Sequence, residues 1–69
     1  MQPLGRGVSH ATFELYEDAA GKYRWRLVHD NGNIIADSGE GYVNRGDARN
    51  GIESVRTNAP DAGTVDVDG

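Results

Sequence analysis

The side chains able to do chemistry in this sequence are few and scattered. His10 and His29 each stand alone, whereas zinc sites want three or four ligands. There is no cysteine, which removes thiolate metal sites and a disulfide framework. Ser9 and Ser38 have no base at motif spacing. Gly39-Glu40-Gly41 is not followed by a P-loop lysine, so it is no phosphate cradle. Glu14, Glu17 and Asp37 are carboxylates of the kind used in acid–base catalysis. The strand pairing below already gives two of them another task, as partners of Arg26. The sequence therefore predicts no catalytic residue, no metal and no cofactor.

Binding chemistry is better represented. Tyr16, Arg24, Arg26, Val28 and Ile35 fall on one outward sheet face, with Lys22 at its hairpin end. Arginines beside an aromatic ring on a sheet can bind single-stranded nucleic acid or an anionic ligand. That face holds one aromatic, however, with acids interleaved at Glu14 and Asp37, and the chain carries a net charge of −4. Nucleic-acid-binding domains are usually basic. A protein or peptide docking on this face, or on a free edge, is the preferred reading.

These residues need strands to position them. In residues 12–17 Phe13 and Leu15 alternate with Glu14 and Tyr16; in 22–29 Tyr23, Trp25 and Leu27 alternate with Arg24 and Arg26. Aromatic-rich alternation between turn residues marks a strand. Asp18-Ala19-Ala20-Gly21 suits a type I turn with glycine in the left-handed region. The parity of that loop sets Leu15 opposite Trp25 and Phe13 opposite Leu27, with Glu14 opposite Arg26 and Tyr16 opposite Arg24. A slip of one residue would place the apolar row against the arginines.

Asn31-Gly32 then predicts a type I′ hairpin. It pairs Asp30 with Asn33, His29 with Ile34, Val28 with Ile35, Leu27 with Ala36 and Arg26 with Asp37. Arg26 is thereby flanked by Glu14 and Asp37 in a cross-strand ladder. Beyond Gly41 the period becomes helical: Ala48, Ile52, Val55 and Ala59 share one face. Asn44 is the expected N-cap, and the helix should cover 45–57 with Asn58 as its C-terminal turn residue. Gly46 weakens its start. Gly51 inside it costs about 1 kcal/mol against alanine, which points to a close approach to the sheet. The expected core is Phe13, Leu15, Tyr23, Trp25, Leu27, Ile34, Ala36, Ala48, Ile52 and Val55. Thr64, Val65 and Val67 lie in an alternating tail that reads as a fourth strand or an acidic end.

Six arginines stand against a single lysine, and seven of the eleven acids are aspartate. An acid-rich, lysine-poor surface suits a protein working in concentrated salt, where self-repulsion is screened. No apolar run exceeds three residues, and a membrane span needs roughly twenty. The sequence thus predicts no membrane partner and a cytoplasmic protein. Sixty-nine residues hold one small domain, read as a flexible leader over 1–11 and a folded unit over 12–69. A domain below about 70–80 residues usually needs a staple. Without disulfides or metal, association is what remains, with the tail as a strand donor to a sheet edge of a second copy.

The strings F-E-L-Y-E-D-A-A-G-K-Y-R-W-R-L from Phe13, I-I-A-D-S-G-E-G-Y from Ile34, N-G-I-E-S-V from Asn50 and N-A-P-D-A from Asn58 resemble the YegP-like family of uncharacterised small domains. The resemblance covers residues 12–62. It implies an α+β domain of β-β-β-α-β order, an antiparallel sheet with the helix on one face. It also implies that two such units exchange C-terminal strands, here as a homodimer. No catalytic or ligand residues come with it.

Overall fold

The computed structural model of the chain describes residues 10–68. Three antiparallel strands, β1 (Ala11–Glu17), β2 (Tyr23–His29) and β3 (Ile34–Asp37), form a meander in that spatial order. The helix α1 (Arg45–Asn58) follows, then a 3₁₀ turn over Ala59–Asp61. Residues 1–9 of the expected leader lie outside the described residues, and Ala11 already pairs with His29 in β1.

The β1–β2 register is the one that parity requires. Leu15 lies opposite Trp25, Phe13 opposite Leu27 and Glu14 opposite Arg26. Gly21 is left-handed, with φ of 82°, and donates its N–H to the Asp18 carbonyl at 3.0 Å. Asp18 N–H and the Lys22 carbonyl close the loop at 2.8 Å.

The second hairpin departs from expectation. It closes on His29 and Asn33, whose N–H and carbonyl meet at 2.8 Å, rather than on Asp30 and Asn33. Gly32 donates to the His29 carbonyl at 2.8 Å with φ of 95°. This repeats the three-residue loop of the first hairpin in place of a two-residue type I′ turn. Two side chains favour the longer loop: Asn31 N–H donates to His29 Nδ1 at 3.1 Å, and Asn33 N–H to Asn31 Oδ1 at 2.9 Å. The extra loop residue is absorbed by an irregularity in the ladder between Leu27 and Val28. Val28 therefore pairs with Ile34 instead of Ile35, while Leu27–Ala36 and Arg26–Asp37 stand as expected. A shift of one residue exchanges sheet faces, so Ile34 joins Val28 on the outward side and leaves the expected core.

α1 begins where Asn44, in extended conformation, accepts the Asp47 N–H on Oδ1 at 2.9 Å. Its C-terminus differs in detail. Asn58 remains right-handed within the helix, and its amide donates to the Ser54 carbonyl at 2.9 Å. Pro60 then sits in the first turn of the 3₁₀ segment, where no N–H is needed.

The helix packs on β1 and β2 and makes no contact with β3. Among the described residues Ala48, Ile52 and Trp25 are buried, surrounded by half-buried Phe13, Leu15, Tyr23, Tyr42 and Val55. Phe13 meets Trp25 edge to face, with centroids 5.6 Å apart. Ile34 is 60% exposed and Ala36 is exposed as well, because nothing in the described chain lies over β3. Gly51 is the expected close approach. A Cβ there would sit 2.9 Å from both Trp25 Nε1 and the Tyr42 hydroxyl.

Gly51→Ala should raise intrinsic helix propensity by about 1 kcal/mol yet destabilise the fold by a net ~1–3 kcal/mol through overpacking. Urea denaturation measures the sign. A more stable variant would show that the helix has room to retreat from Trp25.

Candidate functional site

The alternation of β1 and β2 brings Tyr16, Arg24 and Arg26 onto one outward face. Arg26 Nε donates to Glu14 Oε1 at 2.7 Å, and its guanidinium lies 4.8 Å from the Tyr16 ring centroid. The expected ladder is half formed, for Asp37 turns to cap the following bend. Its Oδ1 accepts the Gly39 N–H at 3.0 Å. Arg24 finds a partner that sequence reasoning missed: its Nε donates to Asp18 Oδ2 at 2.6 Å. Asp18 Oδ1 meanwhile accepts the N–H groups of Ala20 and Lys22 at 2.9 and 3.0 Å. The turn residue was legible, but its reach to Arg24 depends on how the loop closes.

Both arginines are thus charge-compensated where they stand. The hydrogen bond to Asp18 raises the Arg24 pKa, and that to Glu14 raises the Arg26 pKa. The Arg24 guanidinium, followed by the Lys22 N–H, holds Asp18 below its ordinary value of 3.8. Val28 is half-buried beside Ile34, while Ile35, 55% exposed, no longer lies opposite it. Of the five expected face residues, Tyr16, Arg24, Arg26 and Val28 keep the expected register, and Ile35 loses its direct pairing with Val28.

The remaining chemistry is sparse. His10 and His29 stack with ring centroids 6.3 Å apart, and His10 Nδ1 lies 3.7 Å from Asp30 Oδ2. Among the described residues no group of three or more His, Cys, Asp or Glu is placed to hold a metal ion. Tyr42, placed by no periodic signal, pairs with Tyr23 through two backbone hydrogen bonds of 2.8 Å. Burial raises its hydroxyl pKa first and Glu40 raises it further; the Trp25 indole N–H works the other way. That indole N–H is close to the hydroxyl without forming a satisfactory bond, and remains buried and unpartnered. A cleft of about 380 Å³ opens between β1, β2 and the end of α1, lined by Ala11, Thr12, Phe13, Leu27 and Arg56. Thr64, Val65 and Val67 belong to no strand and are exposed, the valines at 80% and 86%.

A family model for a domain of unknown function, DUF1508, matches residues 18–66 of this sheet-and-helix unit. The chain belongs to the DUF1508 family. Across the family it is 51% identical over 55 residues to the UPF0339 protein of Treponema denticola, covering 80% of this chain and 93% of that one. A UPF0339 protein of Stutzerimonas stutzeri is 52% identical over 50 residues, covering 72% of this chain but only 44% of the relative. The NMR solution structure of a protein from Haloferax volcanii superposes with a TM-score of 0.82 at 62% identity. That match covers 87% of this chain and all of the other. The DUF1508 assignment bears out the resemblance read from the sequence, and the family carries no established activity.

Because its folded-state pKa is depressed, Asp18 contributes stability above pH 3.8 that is lost as pH falls through the folded value. Asp18→Asn can keep the turn bonds while removing the charge. Its melting temperature should lie below that of the parent at neutral pH, with the gap closing in acid. Equal gaps at pH 7 and pH 2 would show that the Arg24 pair contributes nothing.

Proposed function

We propose that this DUF1508 chain is a noncatalytic homodimeric module that binds other proteins. The carrying observation is the uncovered apolar surface. All four residues of β3 are exposed, with Ile34 at 60% and Ile35 at 55%, and the tail leaves Val65 and Val67 open. In a chain this short such residues are the material of an interface rather than of a private core. The alternating Thr64, Val65 and Val67 segment is the strand donor, exchanged between two copies at a free sheet edge.

The compensated state of Arg24 and Arg26 supports protein over nucleic acid as the partner of the sheet face. We read the module as cytoplasmic. The aspartate-rich, lysine-poor composition, together with the Haloferax neighbour, supports adaptation to concentrated salt.

Sedimentation equilibrium should give a dimer that dissociates on dilution, and deletion of residues 63–69 should yield monomer or unfolded chain. A folded 7.4 kDa particle at every concentration would overturn the dimer. An intact dimer after the deletion would overturn the donor role. The melting temperature should climb as potassium chloride is raised to molar levels; a flat or falling curve would remove the salt adaptation.

A further inference from the structure

Apart from Lys22 in the first hairpin, the cations of the described chain without a close ion pair lie on the helix. Arg45, Arg49 and Arg56 are all exposed in α1. At 3.6 residues per turn they fall within about 40° of one another around its axis. Arg45 and Arg49 have no ion pair among the described residues. Arg56 has one loose bridge, 3.6 Å from Glu53, with both side chains well exposed. Exposed pairs of that kind contribute little.

Two of the three side chains are held in place by aromatic rings. The Arg45 guanidinium lies 4.9 Å from the Tyr23 centroid, and that of Arg56 lies 5.5 Å from Phe13. A stacked guanidinium keeps its in-plane N–H donors and loses less freedom when it binds a carboxylate. The stripe itself contains no acid. Asp47 lies on the far side of the helix, and Glu53 borders the stripe, one turn beyond Arg49 and about 40° from it, without forming an ion pair with Arg49.

Spacing selects the partner. Arg45 and Arg49 are about 6 Å apart along the axis, and alternate residues of an extended chain are separated by about 6.7 Å. Carboxylates at alternate positions of an extended segment therefore meet the two guanidiniums together, with Arg56 beyond them. We propose that this flank of α1 docks an extended acidic segment of a partner protein, with Asp or Glu at alternate positions. This rests on the reading of the domain as a protein-binding module and names the chemistry of its partner. A phosphodiester strand has the right sign. Its longer run of charge, however, meets more of the repulsion of a chain of net charge −4 than a short acidic segment does.

Fluorescence anisotropy of a labelled peptide of alternating aspartate and serine, titrated with the full chain, tests this. Binding should be seen at low ionic strength and weaken with salt. Arg49→Glu, whose parent side chain has no polar partner in the fold, should weaken it by about tenfold or more. The variant should keep its dimer by sedimentation and its native Trp25 fluorescence. No binding by the parent, unchanged binding by the variant, or tighter binding of oligothymidylate through the same arginine would overturn the proposal. So would loss of the dimer in Arg49→Glu, which would assign the stripe to self-association through Asp66 and Asp68. A monomeric parent that still binds the peptide would remove the homodimer and leave this proposal standing.

Discussion

The seat of Trp25 on the helix decides the rest of this molecule. The indole is 6% exposed and packs among Ala48, Ile52 and Phe13, with Gly51 giving the ring its room. Its N–H is buried, with the Tyr42 hydroxyl as the polar group beside it. Fixing α1 over Trp25 also fixes what the helix leaves open. It lies across β1 and β2, and β3 is left bare on the same side. The small interior and the exposed edge are two results of one contact.

Much of this was legible because alternation and turn parity constrain each other. Phe13 and Leu15 could meet Leu27 and Trp25 in one register only, and the loop at Asp18 to Gly21 had the length to deliver it. Gly51 announced the close approach because nothing else justified glycine in mid-helix. The second hairpin resisted the same reasoning. Asn31-Gly32 fits a two-residue turn and also the end of a three-residue loop, and the choice fell to His29 Nδ1 and the Asn31 side chain. That local bond moved Ile34 across the sheet. Tyr42 was illegible for a different reason: it sits in a glycine-rich stretch with no period, and its place is set by pairing with Tyr23.

The charges divide in a way composition alone does not show. On the sheet, Arg24 and Arg26 are spent on Asp18 and Glu14 and hold turn and strands together. On the helix, Arg45 and Arg49 rest unpaired among the described residues while the chain as a whole is acidic. A sequence reading weighted by residue type favoured the sheet arginines for binding. Their ion pairs with Asp18 and Glu14 give them a structural task as well, and the free guanidiniums direct attention to α1. The aromatic rings beneath Arg45 and Arg56 link that surface to the core.

The proposal stands on an interior so small that a second copy is asked to complete it. Trp25, the single tryptophan, reports on that interior directly. Its fluorescence should be followed through urea at widely separated protein concentrations. The midpoint should move to higher urea as the protein is concentrated, because unfolding and dissociation are then one event. A midpoint that stays fixed across the whole concentration range would mean that one chain holds Trp25 in place by itself, and the account would be wrong.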